Sequence, residues 1–258
     1  MSTDLRLEQS TGEAPDASVE STKRVAVLIP SSNTSVEAEL GRALPVSVSL
    51  HSSRLNHFSG VDPAAVEVMV QDIERASLLV ATAGVDLIFV CATVPSLYYG
   101  EGFDRQIAQR IESITGIPAT TTSSAMLAAL RELKVKRLVL GSPFVPAMNE
   151  KIVTFLRANG FEVLANRGLG IEENIRIGRL PPEVAGKMAQ DMDIPEADAV
   201  LLACTNWQTL KAIDAAERSI GKPVVTTTQA SLWGMLRALG LPPFMPKMGA
   251  LLADTTSR

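Results

Sequence analysis

The chain repeats itself. KRVAVLIPSSN (23–33) resembles KRLVLGSPFVPAMN (136–149), and DLIFVCAT (86–93) resembles DAVLLACT (198–205). GIPATTTSSAMLAALREL (116–133) likewise resembles GKPVVTTTQASLWGMLRALG (221–240). Three matches in one order and at nearly one displacement mean a two-fold duplication, not a solenoid, which needs more copies. The repeated unit is legible too. Apolar runs at 25–29, 85–91, 118–122, 137–141, 162–165, 199–204 and 223–228 alternate with helical patterns at 63–83, 103–114, 124–133, 148–159, 207–219 and 230–239. Several of the runs are apolar throughout, as parallel strands buried on both faces are.

The fold class expected is therefore α/β, with two pseudo-symmetric Rossmann-like halves. Each half is a parallel sheet flanked by helices, and the cleft between them is the natural active site. Residues 1–22, rich in Ser, Thr, Glu and Asp, read as a flexible tail. Residues 23–123 together with 227–258 form the first half, and 124–226 the second.

Composition removes several function classes. A formal net charge of −4 leaves no global basic field for nucleic acid. No run of about 18 apolar residues suggests a membrane span, and the acidic first residues lack the apolar centre of a secretory signal. A cytoplasmic protein is expected. With only 2 cysteines and 2 histidines there is neither a disulfide framework nor a zinc pattern. No glycine-rich fingerprint follows a strand, so no nucleotide cofactor is expected, and no metal.

Those two cysteines are the main chemical signal. Cys91 and Cys204 each close an apolar run and read as occupying the same structural position in the two halves. Ligands of open parallel sheets bind beyond the carboxyl ends of the strands, where the N–H groups of the next turn lower a thiol pKa. A single cysteine there is more often an inert buried one; two at matching strand ends argue for a site. Ala92-Thr93 and Thr205-Asn206 follow them and offer donors suited to a carboxylate. Pro30-Ser31-Ser32-Asn33-Thr34 is either a plain helix cap or a polar nest for an anion. Thr120–Ser124 and Thr226–Gln229 read as caps or as a second ring of donors. His51 and His57 sit in a polar stretch read as a surface loop or edge strand. Trp233 reads as core, and Tyr98 and Trp207 as core or pocket wall.

Taken together, PSSNTSVEAE, VCAT, ATTTSSAMLAAL, VPAMNEKIVTFLRANGFEV, GIEENIRIGRL, ACTN and GKPVVTTTQASLW resemble the aspartate/glutamate racemase superfamily. The resemblance runs over most of 23–241, toward the maleate cis-trans isomerase branch, with arylmalonate decarboxylase nearby. It implies a cofactor-free site between two α/β halves and a small carboxylic acid as substrate. By it, Cys91 resembles the nucleophilic cysteine and Cys204 the second cysteine, while Asn33 and Asn174 match asparagines that bind substrate carboxylates. Ser32, Thr93 and Thr205 would add donors. At Phe144 the isomerases usually carry a tyrosine that contacts substrate, and Thr228 stands where asparagine is more usual. The resemblance also implies homo-oligomerisation.

The function expected is cofactor-independent isomerisation of maleate or a similar unsaturated diacid. Cys91 would add to the alkene and Cys204 would move the proton. The alternatives are an arylmalonate-type decarboxylase, an amino- or hydroxy-acid racemase using the same cysteines, and a small-acid binding protein with vestigial ones.

Overall fold

A computed structural model describes residues 22–56 and 63–253; residues 1–21 of the tail read at the N-terminus and His57 lie outside the described residues. The first sheet uses β1 (Lys23–Pro30), β2 (Val48–Leu55), β3 (Leu87–Val90) and β4 (Ala119–Thr121). Its helices are α1 (Val36–Ala43), α2 (Pro63–Ala81), α3 (Val94–Tyr99) and α4 (Phe103–Thr115). Helix α5 (Thr122–Glu132) leads to the second sheet of β5 (Arg137–Ser142), β6 (Glu162–Gly168), β7 (Ala199–Leu202) and β8 (Val224–Thr226). Its helices are α6 (Pro146–Ala158), α7 (Asn174–Ile177), α8 (Pro182–Met192), α9 (Ile213–Ile220) and α10 (Thr227–Ala238). Both sheets are parallel and share one strand order, β2-β1-β3-β4 and β6-β5-β7-β8, as the duplication requires. Helices cover both faces, which is why Val25–Ile29, Leu87–Val90 and Ala199–Leu202 are apolar and buried throughout.

The start of each sheet is anchored alike, and the anchors set the residue equivalence. Arg24 N–H donates to Asp86 Oδ2 and Arg137 N–H to Asp198 Oδ2, both at 2.8 Å. Asp86 N–H and Asp198 N–H return to the carbonyls of Arg24 and Arg137, again at 2.8 Å. From there Val90 pairs with Leu28 and Leu202 with Gly141. Cys91 N–H then reaches Leu28 O at 2.8 Å, and it is Ala203 N–H, not that of Cys204, that reaches Gly141 O at 2.9 Å. By backbone register Cys91 corresponds to Ala203, and Cys204 to Ala92. The expectation that both cysteines hold one structural position is therefore corrected by one residue. Because successive strand residues face opposite ways, a one-residue offset gives the two thiols different surroundings.

Two strand-to-helix turns read as hydroxyl-rich are caps. Thr121 Oγ1 accepts from Ser124 N–H at 3.1 Å, and Thr226 Oγ1 from Gln229 N–H at 3.1 Å within a full capping box. The helices they start, α5 and α10, pack closely: a Cβ on Gly234 would lie 2.9 Å from that of Ala125. Trp233 is buried there, under the Arg237 guanidinium at 4.7 Å. Three helices went unread in the sequence, α3, α7 and α8. The pattern at 207–219 becomes helical only at Ile213, after a 3₁₀ turn over Leu210–Ala212.

Glu39 ties the halves together. This α1 residue is buried, and its Oε1 accepts from Thr209 and Leu210 N–H of the second half, both at 2.9 Å. Its Oε2 is buried without a partner. Burial raises the carboxyl from 4.5 to about 7, against the two backbone donors. Since the folded value exceeds the unfolded one, folding takes up a proton. The stabilisation from the neutral carboxyl is complete below pH 4.5 and is lost as pH rises through about 7. In Glu39→Gln that slope disappears while the acceptor remains. Denaturant unfolding should show the wild type losing on the order of 2 kcal/mol against the variant between mildly acidic and mildly alkaline pH. Parallel pH curves for the two proteins would contradict this.

Candidate active site

The carboxyl ends of the two sheets face a cavity of about 250 Å³. The first half contributes Pro30 and Asn33 from the β1–α1 turn, Met69 from α2, and Ala92, Thr93 and Val94 beyond β3. The second contributes Phe144 and Val145 beyond β5, Ile171, Glu172, Asn174 and Ile177, and Cys204, Thr205 and Asn206 beyond β7. This is where a parallel sheet places its ligands. Among the described residues the lining holds no Lys, Arg or His, and Glu172 is the charged one. An anion here would be held by neutral donors.

Those donors form one network across the halves. Asn33 Oδ1 accepts from Ser35 and Val36 N–H, both at 3.0 Å, which is helix capping. Its Nδ2 donates to Thr205 Oγ1 at 3.3 Å, and Thr205 Oγ1 donates to Cys91 O at 3.3 Å. Asn174 Nδ2 donates to Ser32 Oγ at 2.8 Å, so Ser32 serves the site from behind its wall. Asn206, read in the sequence as one of the donors that follow Cys204, is the hub. Its Oδ1 accepts from Thr34 N–H at 2.8 Å, its Nδ2 donates to Asn174 O at 2.7 Å, and its carbonyl takes Ser35 Oγ–H at 2.8 Å. The junction is tight enough to need glycine at 178, where a Cβ would stand 2.3 Å from Thr34 Oγ1. The place of Asn206 two residues after Cys204 in the ACTN run is the signal that marks it.

The two thiols differ as the register offset implies. Cys204 lines the cavity, with its sulfur toward the N–H groups of Asn206 and Trp207. Those donors favour the thiolate, but burial outweighs them and the thiol is pushed up to about 12. Cys91 has no exposed surface and stands outside the lining. Burial pushes its thiol up as well, with the Thr122 hydroxyl pulling the other way. The expectation of thiol pKa values lowered by the following turns is thus overturned: the turn supplies its donors at Cys204, but loss of water dominates at both sulfurs.

Of the other expected residues, Thr93 is buried at the start of α3, and Thr93, Thr205, Asn33, Asn174 and Phe144 all line the cavity. Phe144 N–H is held by Ser142 Oγ at 3.0 Å. Tyr98 and Trp207 lie outside the lining; Trp207 is fully buried and Lys151 Nζ sits 4.5 Å over the Tyr98 ring. His51 lies in edge strand β2 against Ser49 Oγ at 3.0 Å. Among the described residues no group of His, Cys, Asp and Glu is arranged to hold a metal, and no helix is long and apolar enough to cross a membrane.

Comparison with known proteins agrees with this geometry. The family model of arylmalonate decarboxylase matches residues 25–252. Maleate isomerase of Pseudomonas putida is 32% identical over 89% of this chain and 97% of its own. Arylmalonate decarboxylase of Bordetella bronchiseptica is 27% identical over 85% of this chain and 92% of its own. A cysteine-to-serine variant of the Nocardia farcinica maleate cis-trans isomerase, solved with a covalently bound succinylcysteine intermediate, superposes with a TM-score of 0.84. That structure is 28% identical and covers 90% of this chain and 99% of its own.

Proposed function

The chain belongs to the arylmalonate decarboxylase family, and from that premise and its site we propose that it isomerises maleate, or a similar short unsaturated diacid, to the trans form by a two-cysteine mechanism without a cofactor. The observation that carries this is a thiol on the cavity wall, Cys204, with a second, Cys91, whose carbonyl accepts from the hydroxyl of Thr205, the residue after Cys204, at 3.3 Å.

In the proposed sequence the Cys91 thiolate adds to one alkene carbon, made electrophilic by its carboxylate. The electron pair moves to the neighbouring carbon and its carboxylate, and Cys204 supplies a proton there. The former double bond is now single and rotates. Cys204 then withdraws a proton from the same carbon, the double bond re-forms in the trans geometry, and Cys91 leaves as thiolate. The high value of the Cys204 thiol suits a proton donor to a carbanion, since a group already ionised could not donate. Asn33, Asn174 and the N–H groups near Thr93 and Thr205 would hold the carboxylates and the charge that develops on them. A succinylcysteine in the Nocardia relative is the adduct this chemistry passes through.

One observation favours a second reading. Met69, Val94, Phe144, Val145, Ile171 and Ile177 give the cavity a broad apolar wall, and Phe144 offers no hydroxyl. Such a wall suits a diacid bearing an apolar substituent, as in arylmalonate decarboxylation. Proton NMR in deuterated buffer separates the two: maleate should give the fumarate vinyl signal, and phenylmalonate should stay intact. Unchanged maleate with loss of carbon dioxide from phenylmalonate would replace isomerisation by decarboxylation.

A further inference from the structure

We propose that Thr122 is a positioning residue for the Cys91 sulfur, its hydroxyl turning between acceptor and donor through a buried relay with Ser231. The register puts the groups together. Val90 pairs with Thr121, so Cys91 and Thr122 leave the first sheet side by side. Thr122 Oγ1 lies 2.8 Å from Ser231 Oγ, which crosses from α10, and Ser231 Oγ donates to Thr227 O at 2.8 Å. Thr122, Thr227, Ser231 and Cys91 are all shielded from water.

Counting protons gives the relay its direction, because each hydroxyl has one to donate. With Ser231 donating to the Thr227 carbonyl, Thr122 donates to Ser231 and is left to accept from the Cys91 thiol. Once that thiol is ionised, Thr122 turns its proton to the sulfur, and Ser231 turns its own to the Thr122 oxygen. Two hydroxyl rotations thus supply a donor to the buried thiolate; the thiol proton itself leaves to the base that ionises the sulfur, and none passes along the relay. The second half lacks the device. One turn after Thr122 stands Met126, where Ser231 stands one turn after Thr227, and Thr227 Oγ1 accepts from the backbone N–H of Cys204 at 3.1 Å. The asymmetry fits a thiolate at Cys91 and a thiol at Cys204, and its catalytic consequence rests on the mechanism proposed above.

The test is alkylation by iodoacetamide, followed at each cysteine by peptide mass spectrometry across neutral to alkaline pH. Only the thiolate reacts, so loss of a hydrogen bond to it slows the reaction at every pH below the thiol pKa. In Thr122→Val the Cys91 rate should fall about tenfold, the size expected for a hydrogen bond to a charged group. The Cys204 rate should not change, and Thr122→Ser should restore Cys91 to within about twofold of the wild type. Ser231→Ala should reproduce the loss in part, and it carries the test if Thr122→Val does not fold. An unchanged Cys91 rate, or equal slowing at both cysteines, would overturn the relay. Because alkylation needs no turnover, inactivity toward maleate would count against the functional reading and leave this result to stand or fall alone.

Discussion

A Cys91→Ala variant is expected to lose maleate turnover by on the order of 10⁴-fold or more, the loss seen when one member of a cooperating catalytic set is removed. Its fold should survive. Cys91 is a small buried residue in the interface core, and removing one sulfur atom costs roughly 1 kcal/mol. Activity would be read by NMR and stability by denaturant unfolding on one preparation. A stable variant that still turns over maleate at the wild-type rate would remove the nucleophile, whereas joint loss of fold and activity would leave Cys91→Ser as the cleaner probe. Serine there keeps a hydroxyl for Thr122 but offers a far weaker nucleophile at neutral pH.

The second large effect is structural and acts on the cavity wall. Gly168 ends β6, and a Cβ at this position would stand 2.1 Å from Phe144 O and 3.1 Å from Asn149 Nδ2. Three backbone bonds zip this segment to the turn that carries Phe144: Leu169 N–H to Ser142 O at 3.1 Å, Gly170 N–H to Phe144 O at 3.1 Å and Ile171 N–H to Pro143 O at 3.0 Å. Behind them Ser142 Oγ donates to Asn149 Oδ1. Gly168→Ala must push this turn outward, moving Phe144, Val145 and Ile171 together. The expected cost is about 3 kcal/mol of stability, from overpacking against backbone that has no rotamer to yield, with a raised KM for maleate. A variant within about 0.5 kcal/mol of the wild type would show that the turn is free to move.

How much of this was legible in the sequence depends on how local the cause is. The central strands announced themselves because burial on both faces forces a continuous apolar run, and the caps at Thr121 and Thr226 because capping is a matter of three residues. Edge strand β2 was ambiguous, since SLHSSRL mixes polar residues into a strand with one open side. Helix α8 was hidden by PPEVAGKMAQDM, in which Gly186 and the opening prolines resemble a loop. Helix α3, only 6 residues long, is too short to show a period.

The site was legible in its members and not in its arrangement. Asn33, Asn174, Thr93, Thr205, Phe144 and Cys204 do meet at one cavity. Pairing cysteine with cysteine shifts the match by one residue; aligned from Asp86 and Asp198 to Thr93 and Thr205, DLIFVCAT and DAVLLACT already set Cys91 opposite Ala203, as the hydrogen-bond register does. The thiol pKa values were less legible: a following turn can be seen in sequence, but the loss of water that outweighs it is a property of the whole fold. Glu39 is an acid in the first turn of α1, a common place for one, and only the meeting of the halves makes it a buried acceptor for Thr209 and Leu210.

The central claim is that Cys91 adds covalently to the diacid and that Cys204 completes the proton transfer. It is tested most directly by incubating a Cys204→Ser variant with maleate, digesting it and weighing the peptides. The account predicts that the Cys91 peptide gains the mass of one maleic acid and that the variant releases almost no fumarate. An unmodified Cys91 peptide, or an adduct found instead on Cys204 in a Cys91→Ser variant, would contradict it.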